Sequence, residues 1–137
     1  MEIQIKETKQ IVSAKVVFEI CSNVLRMEDP LDQDKEHFWV IGLNTKNFIQ
    51  YIDLVHLGTA NACHYHPREI FRRACIKGTI SIIIAHNHPS GIPSPSSEDK
   101  DVTAKIKEAG DVLAIPVLDH VIIGKESFYS FRDQGIL

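Results

Sequence analysis

The chain has 137 residues, of which 44% are hydrophobic and 24% are charged, a balance typical of one ordinary globular domain. Its net charge of -3 gives no support to a broadly basic nucleic-acid surface, although a local basic patch between Arg68 and Lys77 stays open. No hydrophobic run approaches the ~18 residues of a membrane span. The cysteines Cys21, Cys63 and Cys75 are odd in number, which favours small core residues in a reducing compartment over a set of disulfides. We therefore expect a cytoplasmic protein without a membrane partner.

The first half of the chain predicts one helix and a hairpin. Residues 1–12 are expected to form a peripheral strand or arm, and an N-cap serine then precedes an amphipathic helix from 14 to about 26. The acidic, proline-interrupted stretch 28–34 predicts a solvated loop. Residues 36–43 and 48–57 predict the two strands of an antiparallel hairpin, the first with bulky apolar side chains on both faces and therefore central in its sheet.

The second half alternates helices and strands. The pattern predicts a helix opened by Pro67, a buried strand over 79–85, a helix of about 18 residues that ends before Pro116, and strands over 117–123 and 127–131. The inward faces of the two helices are expected to carry Ile70, Phe71, Ala74 and Cys75, and Val102, Ile106, Ala109 and Leu113, respectively. We therefore predict an α/β fold in a single domain, 1–137, in which a mixed sheet is flanked by helices, and an exposed edge strand is compatible with an oligomer.

Two histidines at a spacing of two residues end the most apolar run of the chain. If the strand continues through His86 and His88, both imidazoles lie on one face with their Cα atoms roughly 6.6 Å apart. The three prolines and the glycine that follow exclude regular structure until Ser96. A helical pattern then begins and places Asp99 in its first turns, so that this stretch has the donors of a metal site.

The start of this helix has two interpretations. Pro95 at the first helical position would make Ser94 the N-cap, whereas Ser96 as the N-cap would make Asp99 its capping-box partner. Asp99 also lies on the apolar stripe, where a carboxylate is costly unless a cation compensates it. Two imidazoles and one carboxylate leave a fourth position for water, as in catalytic zinc sites, although other divalent transition metals are not excluded. Capping alone, with two solvent-exposed histidines, is the competing interpretation.

These residues carry a resemblance to a known family. His86-x-His88-x7-Ser96-x2-Asp99 resembles the JAMM motif of MPN/JAB metalloproteases, and His86-Asn87-His88-Pro89-Ser90-Gly91 with Leu118-Asp119-His120 resembles the RadC family. The likeness covers the chain from about Ser13 to Leu137. It implies a three-layer sandwich of the MPN/JAB type, related to the cytidine deaminases, although the deaminase H-x-E and P-C-x-x-C signature is absent. RadC proteins usually carry a helix-hairpin-helix region before this domain, which this chain is expected to lack.

The resemblance also implies a function. It predicts a zinc-dependent hydrolase, a metallopeptidase or isopeptidase, that cleaves an amide bond of a peptide or protein substrate with a metal-activated water. The implied roles are Zn²⁺ ligation by His86, His88 and Asp99, general base catalysis by Glu36, and a hydrogen bond from Ser96 to the oxyanion. The rival hypothesis is a non-enzymatic or weakly active, DNA-repair-associated interaction module on the same fold, which leaves contact with nucleic acid open.

The remaining acid and histidines have simpler interpretations. Glu69 competes with Glu36 for the role of general base, but a glutamate in the first turn of a helix is explained by the helix dipole. His64 and His66 form a second pair at the same spacing, yet they precede no apolar strand. His120 is read as a satisfied core histidine, and a role in lining the site stays open.

Overall fold

One mixed sheet of six strands forms the centre of the protein, with helices on both faces. The computed structural model describes residues 1–4, 9–58 and 65–137. The predicted α/β class and the three-layer arrangement are confirmed. In chain order the elements are β1 (Glu2–Ile3), α1 (Ala14–Arg26), α2 (Pro30–Gln33), β2 (Glu36–Leu43), β3 (Ile49–Gly58), α3 (Pro67–Lys77), β4 (Ser81–Asn87), α4 (Ser97–Leu113), β5 (Val117–Ile123) and β6 (Phe128–Ser130).

The strands lie in the order β1-β3-β2-β4-β5-β6. The hairpin of β2 and β3 is antiparallel, as predicted, and β2 also pairs antiparallel with β4. In contrast, β4 and β5 are parallel, because α4 carries the chain back across the sheet between them. This topology places the C-terminal end of β4 beside the beginning of β2, next to the beginning of α4.

Two apolar layers hold the helices on the sheet. Trp39 and Ile41 of β2 point to the layer under α1, whereas Phe38 and Val40 point to the layer under α3 and α4. All eight residues of β2 are buried, which confirms the predicted central strand. Burial of each of these large side chains stabilises the fold by about 1.5–3 kcal/mol before the entropy of ordering is subtracted.

Three local predictions are wrong. The predicted loop 28–34 contains the short helix α2, because the Asp29 carboxylate accepts a hydrogen bond from the N–H of Leu31 at 2.9 Å and caps it. Cys75 is exposed, one residue beyond the buried face of α3, whereas Cys21 is buried as expected. Leu113 is 45% exposed, because the buried stripe of α4 runs through Gly110 instead.

The periphery of the sheet agrees with the sequence only in part. Glu2 and Ile3 form an edge strand against β3, and the rest of the predicted arm includes residues 5–8, which lie outside the described part of the chain. Cys63 and His64 lie outside it as well. Among the described residues, no helix has both the length and the apolar character needed to cross a membrane.

Candidate metal centre

Strand β4 and the first turn of α4 bring the predicted ligands together. His86 is the sixth residue of β4, and the N–H of His88 donates to the carbonyl of Ile123 at 3.0 Å, which continues the pairing with β5 past the strand end. Both imidazoles therefore stay on one face, as the alternation of a strand requires. Gly91, with φ of 86°, then turns the chain back, and its N–H donates to the carbonyl of His88 at 2.9 Å.

The three ligand groups meet at one point. Nε2 of His86 lies 3.0 Å from Nε2 of His88, and these two nitrogens lie 3.3 and 3.1 Å, respectively, from the two carboxylate oxygens of Asp99. All three ligand atoms lie within 4.8 Å of one another. Imidazole nitrogens and a carboxylate oxygen are donors that suit a divalent transition metal, so the residues fit the ion that their motif implies.

The hydrogen bonds around His88 explain how it meets Asp99. Nδ1 of His88 lies 2.9 Å from the carbonyl of Ile92, which can only accept, so Nδ1 carries a proton and Nε2 faces the other ligands. The carboxylate of Asp99 raises the pKa of His88, because it accepts a hydrogen bond from the protonated ring. A metal ion would replace that proton, since a ligating imidazole must be neutral.

Asp99 both caps α4 and faces the histidines. Its N–H donates to Oγ of Ser96 at 3.0 Å, and its Oδ2 accepts from the N–H of Ser96 at 2.9 Å, a complete capping box. Ser96 is therefore the N-cap, and the alternative of Ser94 is wrong. Burial raises the pKa of Asp99, but hydrogen bonds to the carboxylate, among them those from the ring of His88 and the N–H of Ser96, outweigh burial and hold this pKa below its usual range. Capping alone does not account for this carboxylate.

Glu36 lies beside the site at the first residue of β2. The register of β2 with β4 ends at the pair of Phe38 and His86, and Glu36 precedes that pair by two residues on β2. Asn87 fixes this strand start, because its amide accepts from the N–H of His37 at 2.6 Å and donates to the carbonyl of Lys35 at 3.0 Å. The backbone is thus held on both sides of Glu36. The residue as a whole is buried, with only 5% of its surface exposed.

Two further observations concern the predicted catalytic groups. The charge of Glu36 is the smallest of the effects on the pKa of His88, which the hydrogen bond to Asp99 raises most, and it also raises the pKa of Tyr65, for which burial is the larger cause. Ser96 is exposed, and its Oγ already accepts from the backbone of Asp99, which leaves its O–H free to donate. The catalytic roles of Glu36 and Ser96 stay predictions.

The competing residues lie elsewhere. Glu69 forms an exposed ion pair with Arg72 at 2.8 Å on α3, as expected of a first-turn acid. His66 is the exposed N-cap residue of α3 and makes no capping hydrogen bond with its side chain. Arg73 and Lys77 pair with the carboxylate of Glu2, so most of the predicted basic patch is neutralised.

His120 is the site residue that the sequence did not assign. It is 1% exposed, and its Nε2 lies 2.7 Å from Nδ1 of His86, while its Nδ1 lies 2.5 Å from Oγ1 of Thr103. Burial holds the pKa of His120 well below its usual value. The signal that could have found it is a histidine inside an apolar strand next to the strand of His86, but this adjacency depends on the topology.

The family follows from the complete domain. Residues 11–136 match the family model described as a RadC-like JAB domain. The chain belongs to the RadC family. The JAB match agrees with the observed α/β fold, and it confirms the family that the motif of β4 and α4 indicated.

The curated relatives of this RadC-like domain are UPF0758 proteins. It is 44% identical over 131 residues to the one from Chlorobium chlorochromatii (strain CaD3), covering 96% of this chain and 57% of that protein. It is 46% identical over 129 residues to the one from Pelodictyon phaeoclathratiforme (strain DSM 5477 / BU-1), covering 94% and 56%. The chain thus spans about half the length of the curated relatives it matches. Their names state no activity.

Replacing His88 should remove the metal from this RadC-like domain. We expect about one equivalent of tightly bound metal per chain in the unmodified protein, and less than about half an equivalent in His88→Ala, because two remaining ligands bind weakly. Elemental analysis after dialysis measures the ratio. His66→Ala is the matched control, since it removes an exposed histidine from α3. Equal metal in both variants would contradict the assignment of His88.

Proposed function

We propose that this RadC-family domain is a zinc-dependent hydrolase of the JAMM class that cleaves an amide bond in a peptide or protein. The observation that carries the proposal is the convergence of Nε2 of His86, Nε2 of His88 and the carboxylate of Asp99, beside the buried Glu36. A structural site would close all four metal positions with protein ligands, whereas two histidines and one aspartate leave one for water. When bound, a divalent ion supplies Lewis acidity that activates water at neutral pH.

Two side chains of this domain would transfer the proton and stabilise the oxyanion. Glu36, whose backbone neighbours on both sides are hydrogen-bonded to the Asn87 side chain, accepts a proton from the attacking water and delivers it to the leaving amine. The free O–H of Ser96 donates a hydrogen bond to the oxyanion that forms at the scissile carbonyl. One such donor contributes about 2.7–4 kcal/mol in well-studied hydrolases.

The surroundings of the site support a substrate that approaches from one side. The side chain of His86 is 2% exposed, whereas that of His88 is 18% exposed, so the site opens to solvent along His88. Phe38, two residues after Glu36, packs against Tyr65 with ring centroids 4.1 Å apart. Zinc fits this donor set, since imidazole favours the later transition metals.

Chelation and zinc return test the proposal. The purified protein is incubated with a library of peptides, and cleavage products are identified by mass spectrometry. We expect cleavage by the zinc-loaded protein, loss of all products after dialysis against a chelator, and recovery after addition of about one equivalent of Zn²⁺.

One outcome of the same assay would reject the proposed function. Cleavage that persists unchanged in the metal-free protein would come from another mechanism or a contaminant, and the proposed function would be rejected. The His88→Ala protein serves as the second control, because it loses one proposed ligand at a residue that lies just beyond β4.

A further inference from the structure

We propose that Thr103 and His120 are positioning residues that fix the tautomer of His86, so that its Nε2 presents a lone pair to the metal even before the metal binds. The inference rests on the metal centre of the proposed function but not on any hydrolysis. It concerns a chain of hydrogen bonds that runs from the backbone of α4, through β5, to the metal-facing histidine of β4.

The direction of this chain is set at the hydroxyl of Thr103. Oγ1 of Thr103 lies 2.7 Å from the carbonyl oxygen of Asp99 and 2.5 Å from Nδ1 of His120. A carbonyl oxygen has no proton, so the single hydroxyl proton donates to Asp99. Nδ1 of His120 must then donate its own proton to Oγ1 of Thr103.

The same reasoning assigns the proton on the ring of His120 and then the proton on His86. The ring of His120 is buried, and the groups that it contacts, Thr103, His86 and two aromatic rings, include no carboxylate, so the ring is neutral and has one N–H. With that proton on Nδ1, the Nε2 atom of His120 can only accept. Its partner at 2.7 Å is Nδ1 of His86, which therefore donates. His86 in turn has its proton on Nδ1 and a lone pair on Nε2, the atom that faces His88 and Asp99.

Packing keeps this arrangement in place. The ring of His120 stacks on Phe131 with centroids 4.7 Å apart at 12°, and Phe38 meets it edge-on at 6.0 Å. Thr103 is 3% exposed and His120 is 1% exposed. A ring held in this way cannot turn to a different partner without disturbing two aromatic contacts, so the tautomer of His86 follows from the fold.

The arrangement also joins the two elements that carry the ligands. The carbonyl that receives the Thr103 proton belongs to Asp99 itself, in the first turn of α4. The hydrogen bonds of Thr103 and His120 thus tie the backbone of one ligand residue to the side chain of another. A site assembled in advance loses less conformational entropy when the ion binds, so the metal binds more tightly.

Metal affinity tests the inference without any substrate. The dissociation constant for Zn²⁺ is measured by competition with a coloured chelator. We expect Thr103→Val, which removes the hydroxyl but keeps the shape, to weaken binding by about 10–100-fold, and Thr103→Ser, which keeps the hydroxyl, to restore most of it. Thr79→Val is the matched control, because it removes a buried hydroxyl that donates to Gln50, away from the metal centre.

The tautomer itself is the second readout. Long-range ¹H–¹⁵N correlation spectra of the metal-free protein distinguish a protonated from an unprotonated ring nitrogen, and a His86→Gln variant assigns the signals. We expect Nε2 of His86 to be unprotonated in the unmodified protein and in Thr103→Ser, and protonated in a substantial fraction of Thr103→Val.

The outcomes separate the two proposals. A proton on Nε2 of His86 in the unmodified protein, or equal zinc affinity in Thr103→Val and the unmodified protein, would overturn the role of Thr103 and His120. If zinc does not bind the unmodified protein at all, the proposed function fails, yet the spectra of the metal-free protein still decide the tautomer. A Thr103→Val protein that does not fold leaves the spectrum of the unmodified protein as the deciding measurement.

Discussion

Replacing Glu36 by Gln should abolish amide hydrolysis and leave metal binding intact. The amide keeps the size of the carboxylate and stays beside His88, but it cannot accept a proton from water. General base catalysis contributes typically about 10²–10⁴-fold, so we expect the rate to fall by at least about 10²-fold. Because Glu36 is not among the metal ligands, elemental analysis should still find about one equivalent of metal.

The matched control for this substitution is Glu69→Gln. Glu69 is the other acid that the sequence offered as a base, and it lies on exposed α3 in an ion pair with Arg72. We expect full activity in this variant. If Glu36→Gln still cleaves peptides at the original rate, or if Glu69→Gln does not, Glu36 is not the general base.

The inactive Glu36→Gln protein also offers a way to the substrate. A variant that binds substrate and metal but cannot transfer the proton should retain the proteins that the active domain cleaves. Comparing the proteins retained by Glu36→Gln with those retained by the double variant Glu36→Gln, His88→Ala separates binding at the metal centre from binding elsewhere. A retained protein then has to be cleaved by the unmodified domain to count as a substrate.

Replacing Gly42 by Ala should destabilise the protein more than the small change suggests. Gly42 faces Tyr51 of β3, and an added Cβ would lie 2.5 Å from Cζ and 2.7 Å from Cδ1 of that ring. Tyr51 is 1% exposed, so the ring cannot turn away into solvent. Alanine normally stabilises a strand relative to glycine, but here overpacking reverses the sign, with an expected loss of about 1–3 kcal/mol in the free energy of unfolding.

A double-mutant cycle checks the cause of this loss. Tyr51→Leu removes the ring that would collide with the new methyl group and has its own cost. If the collision is the reason, the cost of Gly42→Ala should be smaller in the Tyr51→Leu background, with a coupling of roughly 0.5–3 kcal/mol. Denaturant titration measures all four proteins. Strictly additive costs would show that Gly42 acts through something other than its contact with Tyr51.

Local patterns in the sequence were sufficient for most of the secondary structure. The bounds of β2 and β5 agree with the predicted 36–43 and 117–123, because runs of apolar residues between turn signals specify strands. The bounds of α1 agree as well, and α3 begins at the predicted Pro67, since an N-cap position and a proline mark the two starts. The errors at Cys75 and Leu113 concern which side of a helix faces the core, and that depends on how closely two elements approach.

In the candidate site, too, the sequence predicts the local features but not how they come together. The spacing of His86 and His88, and of Ser96 and Asp99, is local, so the alternation of a strand and the capping box of a helix predicted each pair. Their convergence required a return path, which Gly91 and the turn after His88 supply. The sequence could state that Asp99 either caps the helix or binds a metal, but the structure shows that one carboxylate meets both sets of partners.

The sequence by itself therefore determined the class of fold, the family and the metal-binding motif. Only the tertiary structure decided that Glu36, at the start of β2, lies near the end of β4, and that Thr103, His120 and His86 form one chain of contacts. His86 is 50 residues after Glu36 in the chain, and His120 is 34 residues after His86. The physical reason is that side-chain periodicity fixes which face a residue occupies, whereas the neighbours on that face depend on strand order and register. In this protein the antiparallel pairing of β2 with β4 and the parallel pairing of β4 with β5 supply those neighbours.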